Sequence, residues 1–170
     1  MNKLNHFSLS FGASLWIFHY FFTNNVFAIF ILSFFVAFLS SLPDIDIKII
    51  KSINNYNRQT LYILYPITFI LKIIFRHRTI THTIWLPTLL LLADIYMQSN
   101  FYTDSILRVL YIGIFLHLIE DSLTKSGIKP LYPLPLKFKL FDFSTNSKAD
   151  ITFVQLLSIM IVISFFYVVL

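Results

Sequence analysis

A chain of 170 residues that is 57% hydrophobic and only 12% charged, with a mean hydropathy of +0.75, has too little polar surface for a soluble domain of its size. One membrane-embedded domain, residues 1–170, is expected. Thirteen Lys and Arg against eight Asp and Glu give a net charge of +5, and the absence of cysteine excludes disulfides, thiolate ligands and a cysteine nucleophile, so any metal site must use nitrogen and oxygen donors.

In chain order, the apolar runs cover residues 7–23, 26–42, 80–97, 106–119 and 151–170. Spanning helices need roughly 17 to 25 residues, so the last run is full length and the others are short. Twenty Phe are spread through these runs and read as lipid-facing and core-filling side chains. A cleaved signal peptide is not expected, because Lys3 alone precedes the first run and no small-x-small site follows it. The third run carries Pro87 and Asp94, and the fourth carries Arg108, which can lean on neighbours or snorkel. Residues 59–75 are apolar too, but Pro66 and Lys72 suit a kinked interfacial segment better than a crossing. The expected architecture is therefore all-α, an integral membrane helical bundle of about five spans with a kinked interfacial segment.

Charge supports that topology. With the N-terminus cytoplasmic, Lys3, six basic residues in 44–78 and five in 122–150 fall on the cytoplasmic side, twelve of the thirteen, leaving Arg108. An integral inner-membrane protein with its N-terminus inside is the expectation. The same arrangement collects chemistry at one membrane lip: His6 precedes the first run, Asp44 and Asp46 follow the second, His77 and His82 open the third, and His117 with Asp121 close the fourth. Four separate segments then converge on one face, as a metal site between helices requires.

Spacing discriminates among these residues. His117 and Asp121 are i and i+4, on one helical face, where imidazole and carboxylate can reach a common ion. Glu120 lies to the side, as a partner for a ligand or as a base. "LPDID" places two carboxylates just after a helix-ending proline, a usual location for oxygen donors. His77 and His82 would diverge by about 140° on a regular helix, so they read as loop plus helix start, with Thr79 or Thr81 as an N-cap. Each piece alone has a plainer reading, as a hydrogen-bonded pair, a solvated cap or an interfacial histidine. Together they place four of the five histidines and three of the eight acids on one face. His19, about 20 Å along a helix from His6, and Asp94 read as polar groups within the bundle.

The stretches "NHFSLSFG", "LPDID", "HRTITHT" and "GIFLHLIEDSLTKSGIKPLYPL" resemble, in order, the signatures of the YdjM-type family, described as LexA-regulated, membrane-bound metal-dependent hydrolases. The likeness covers residues 5 to 134, with Thr79 and Thr83 where the family carries Gly and Ser. It implies that His6, Asp44, Asp46, His77, His82, His117 and Asp121 occupy ligand positions. More remotely, that family is similar to all-helical zinc-dependent phospholipase C and single-strand-specific nucleases, which implies a phosphoesterase-like activity.

This donor set suits one or two Zn²⁺, with Mn²⁺ the other option, and leaves a position for an activated water. Arg76 or Arg78 can hold developing negative charge, or can equally serve as positive-inside residues contacting lipid phosphates. A substrate reaching a site at the lip suggests an amphiphilic, phospholipid-like phosphoester. In "KPLYPLPLKFKLFDF", Lys137 and Lys139 flank Phe138, so a strand-like or interfacial segment can offer amines to anionic headgroups; membrane lipid is the expected partner rather than nucleic acid. The rival class is a small metal-binding or proton- and ion-relaying transport protein, for which His19, Asp94 and Arg108 are the available polar groups.

Overall fold

The computed structural model describes residues 3–41, 43–44, 82–97, 101–144 and 147–169. Within them the chain forms five α-helices: α1 (Lys3–Phe21), α2 (Val26–Leu39), α3 (Trp85–Met97), α4 (Phe101–Ser122) and α5 (Lys148–Val169). The segment 59–75 lies outside the described residues, as do Asp46, Arg76, His77 and Arg78.

Local chemistry sets the helix ends. Asn25 caps α2, its Oδ1 accepting from the backbone N–H of Phe27 at 3.1 Å and Ala28 at 3.2 Å. At the other end Ser40 donates its backbone N–H to Val36 O at 2.8 Å and its hydroxyl to Ala37 O at 2.8 Å, and the chain turns through Pro43 to Asp44. The third helix begins at Trp85, and the expected caps Thr79 and Thr81 lie outside the described residues. Pro87 falls in its first turn, where a missing N–H costs no helical bond, so it marks the entry rather than a mid-span kink.

The first helix is the centre of the assembly and packs against α2, α4 and α5. Leu15 and Phe18 of α1 meet Ile29 and Val36 of α2, Val109, Ile112 and Leu116 of α4, and Phe165 of α5 in one buried cluster. Small residues let the backbones approach: a Cβ on Gly12 would lie 3.1 Å from Ile161 Cγ2, and one on Gly113 would lie 3.2 Å from Val36 O. Such close crossings suit helices that meet in lipid, where packing rather than hydrophobic burial drives association.

The outer surface is apolar. α5 is 22 residues long with mean hydropathy 2.3, long and apolar enough to cross a bilayer, and 17% of its apolar window is buried. The outer faces of α2 and α3 likewise expose Phe27, Phe34, Phe38, Leu89, Leu92 and Ile95. Patches of this extent mark contact with lipid or protein rather than water. At 14 and 13 residues, α2 and α3 are shorter, about 20 Å each.

Candidate metal centre

Chain direction brings the polar residues to one end of the bundle. α1 starts there with His6, α2 finishes there ahead of Asp44, α3 starts just after His82, and α4 finishes there with His117, Glu120 and Asp121. His6, His82, His117, Glu120 and Asp121 are all nearly inaccessible. Asp44, with 19% of its side chain exposed, is the opening.

The donor atoms face inward. His82 Nε2 lies 3.7 Å from Asp44 Oδ1 and 3.6 Å from Asp121 Oδ2. His117 Nε2 lies 3.9 Å from each of the same two oxygens, and 3.2 Å from His82 Nε2. His6 Nε2 lies 3.5 Å from Asp121 Oδ1, so the two oxygens of Asp121 face different imidazoles. Two sets have all their donor atoms within 4.8 Å of one another: His6, Asp44 and His117, and His82, His117 and Asp121. His117 belongs to both, an arrangement compatible with one ion or two.

A second layer orients these rings. His6 Nδ1 donates to Glu120 Oε2, and Glu120 Oε1 accepts from Ser10 Oγ at 2.8 Å. The carboxylate fixes the tautomer that leaves the His6 Nε2 lone pair on the cluster side, and that buried nitrogen makes no hydrogen bond among the described residues. His117 stacks on His6, with centroids 4.4 Å apart and planes at 22°, while His82 meets His117 edge-on at 5.1 Å. Burial opposes ionisation of Asp44, yet the adjacent His82 and His117 outweigh it and hold its carboxyl below the ordinary carboxylate range.

The residues therefore fit a cation. Three imidazole nitrogens and two carboxylates, with one nitrogen buried and unbonded, form a nitrogen and oxygen set of the kind that holds Zn²⁺ or Mn²⁺. Of the seven expected ligands, the structure brings together His6, Asp44, His82, His117 and Asp121; Asp46 and His77 lie outside the described residues.

Glu120 sits beside the cluster, with both oxygens already engaged. Ser10 was not singled out from the sequence, although its i, i+4 spacing from His6 was visible there. Asp94 and Arg108, whose segments are expected from the sequence to lean on neighbours or snorkel, pair with each other. Arg108 Nε lies 3.4 Å from Asp94 Oδ2, and its guanidinium stands 5.0 Å over the Phe22 ring. Two opposite charges inside adjacent apolar segments were the signal. His19 is remote, packed among Trp16, Tyr20 and Phe165.

Fold and site together define an all-helical, membrane-type protein with a buried histidine and carboxylate cluster that could hold a metal ion. The sequence matches the family described as YdjM inner membrane protein across residues 1–170, and the chain belongs to that family. Comparison with curated proteins and with solved structures gives no match.

Proposed function

We propose that this inner membrane protein is a metal-dependent hydrolase of phosphoesters, with its site at the cytoplasmic lip of the bundle. The observation that carries the reading is the convergence of His6, His82 and His117 Nε2 with the carboxylates of Asp44 and Asp121 in a buried space open at Asp44. A divalent ion bound there supplies Lewis acidity and lowers the pKa of water.

The chain's own residues do the rest. Glu120 and Ser10 hold His6 in register, and stacking on His6 holds His117, so the donors need little rearrangement to ligate. Asp44, partly exposed, marks the side from which substrate and water reach the cluster. Arg78, close to His82 in sequence, is the candidate for balancing negative charge on the phosphoryl oxygens.

The site's position at a bundle end favours an amphiphilic, phospholipid-like substrate. A transport role would need polar groups through the bilayer depth. Instead Asp94 is paired with Arg108, about 13 Å along α4 from His117, and His19 is packed among aromatic rings. Elemental analysis of detergent-purified protein, joined to turnover of a phosphodiester and a phospholipid panel, tests the reading. Stoichiometric transition metal and metal-dependent turnover are expected; a protein that neither carries metal nor accepts it on reconstitution ends it.

A further inference from the structure

We propose that residues 131–143, between α4 and α5, form a built interfacial platform that beds in the membrane leaflet and prefers anionic lipid. The assignment does not rest on the hydrolytic reading, because it concerns a surface outside the metal cluster.

This connection is tied down as firmly as a secondary-structure element. Ile128 and Phe138 exchange both backbone bonds at 2.9 Å, Lys125 N–H donates to Phe143 O at 3.0 Å, and Leu140 N–H donates to Ser122 O at 2.8 Å. Gly127 turns at φ +62°, and a Cβ there would meet Phe138 O at 2.6 Å, so the crossing requires glycine. Farther out, Ile84 N–H donates to Pro130 O at 2.9 Å and Trp85 Nε1 to Tyr132 O at 3.1 Å, joining the segment to the start of α3.

A segment this ordered would normally turn its apolar side chains inward. Instead Leu134, Leu136, Phe138, Leu140 and Phe141 each remain 48–59% exposed. Water does not stabilise that arrangement, at roughly 25 cal/mol for each Å² of apolar surface left in contact with it. Something apolar covers it.

Charge and continuity identify the cover as lipid. Within 131–143 stand Lys137 and Lys139 against Asp142, with Lys139 Nζ 3.0 Å from Asp142 Oδ1, and Lys125 and Lys129 come just before the segment. Lysines interleaved with leucine and phenylalanine suit the boundary between phosphates and acyl chains, where the stems lie along hydrocarbon and the amines reach headgroups. The surface also runs on into the spanning helix: Phe141 stacks on Phe143 at 5.7 Å, and Phe143 meets Phe153 of α5 at 5.6 Å. Behind it, an apolar cleft of about 300 Å³ opens between Phe138, Leu140 and the Phe115 to Ile119 face of α4, room for hydrocarbon to enter.

The chain contains no cysteine, so Leu136→Cys, Phe138→Cys and Phe141→Cys can each carry a nitroxide in single-copy nanodiscs of phosphatidylcholine, with or without phosphatidylglycerol. Collision with oxygen against a water-soluble nickel chelate reads depth. All three labels are expected on the order of 5–10 Å below the phosphates, deeper with phosphatidylglycerol present, and Lys137→Gln with Lys139→Gln should abolish that lipid-dependent shift. Chelate access equal to that of a label on an appended soluble tag overturns the platform. Protection that arises only with two copies per disc does the same, in favour of a second chain as the cover. Depth indifferent both to anionic lipid and to the lysine changes removes the headgroup preference.

Discussion

His82 Nε2 and His117 Nε2 face each other at 3.2 Å, both side chains fully buried at one end of the bundle. One imidazole must donate to the other, or both lone pairs must address the same cation. The surrounding carboxylates of Asp44 and Asp121 favour the second arrangement. His82→Ala, His117→Ala and Asp121→Ala should each lose bound metal and hydrolysis together, whereas His19→Ala should keep both. Metal loss in His19→Ala with retention in His117→Ala would reverse the ligand assignment.

Glu120→Gln should be milder than loss of a ligand. The amide can no longer hold the His6 tautomer by charge, so metal affinity should fall on the order of 10 to 100-fold, read by competition with a fluorescent chelator. Ser10→Ala, which removes one bond to the same carboxylate, should shift affinity in the same direction by less. Unchanged affinity in Glu120→Gln would leave His6 positioned by packing alone.

Five residues of the candidate cluster were legible because their clues were local, while Asp46 and His77 lie outside the described residues. His117 and Asp121 declare a shared face by spacing, and the proline of "LPDID" announces the turn that carries Asp44. Alternating chain direction then brought His6 to the same end. What could not be read depends on rotation and register between helices. Glu120 meets His6 only because α1 and α4 turn those faces together, and Asp94 finds Arg108 only through the pairing of α3 with α4. Helix ends also outran the apolar runs: α1 begins at Lys3 and so includes His6, and α4 extends to Ser122, because polar residues facing a buried cluster continue a helix that hydropathy alone would stop.

Topology has its own test. Lys125→Cys is expected to resist an impermeant maleimide in intact cells and to react in inverted vesicles, if the basic residues of 122–150 hold that segment inside as the positive-inside rule expects. Labelling from outside intact cells would refute the cytoplasmic placement.

Asp94 and Arg108 should behave as a pair. Breaking a buried ion pair strands a charge, and with the Arg108 side chain 30% exposed, solvent moderates the cost of Asp94→Ala to about 1–3 kcal/mol, below the range for full burial. The double change Asp94→Leu with Arg108→Leu should recover much of it. Thermal unfolding in detergent measures both, and a double variant as unstable as the sum of the singles would show that the two residues act separately.

Gly113 stands four residues before His117 on the same face of α4, with the backbone of α2 pressed against it at Val36 O, 3.2 Å, and Ser40 N, 3.4 Å. Gly113→Leu should therefore release metal although no ligand residue is replaced, with helicity by circular dichroism separating this from unfolding; retained metal would show that α2 can yield. Among relatives, position 113 is then expected to drift only in company with positions 36 and 40, since co-varying positions report spatial contact. The metal affinity of such a lineage would be inherited partly through residues that never touch an ion.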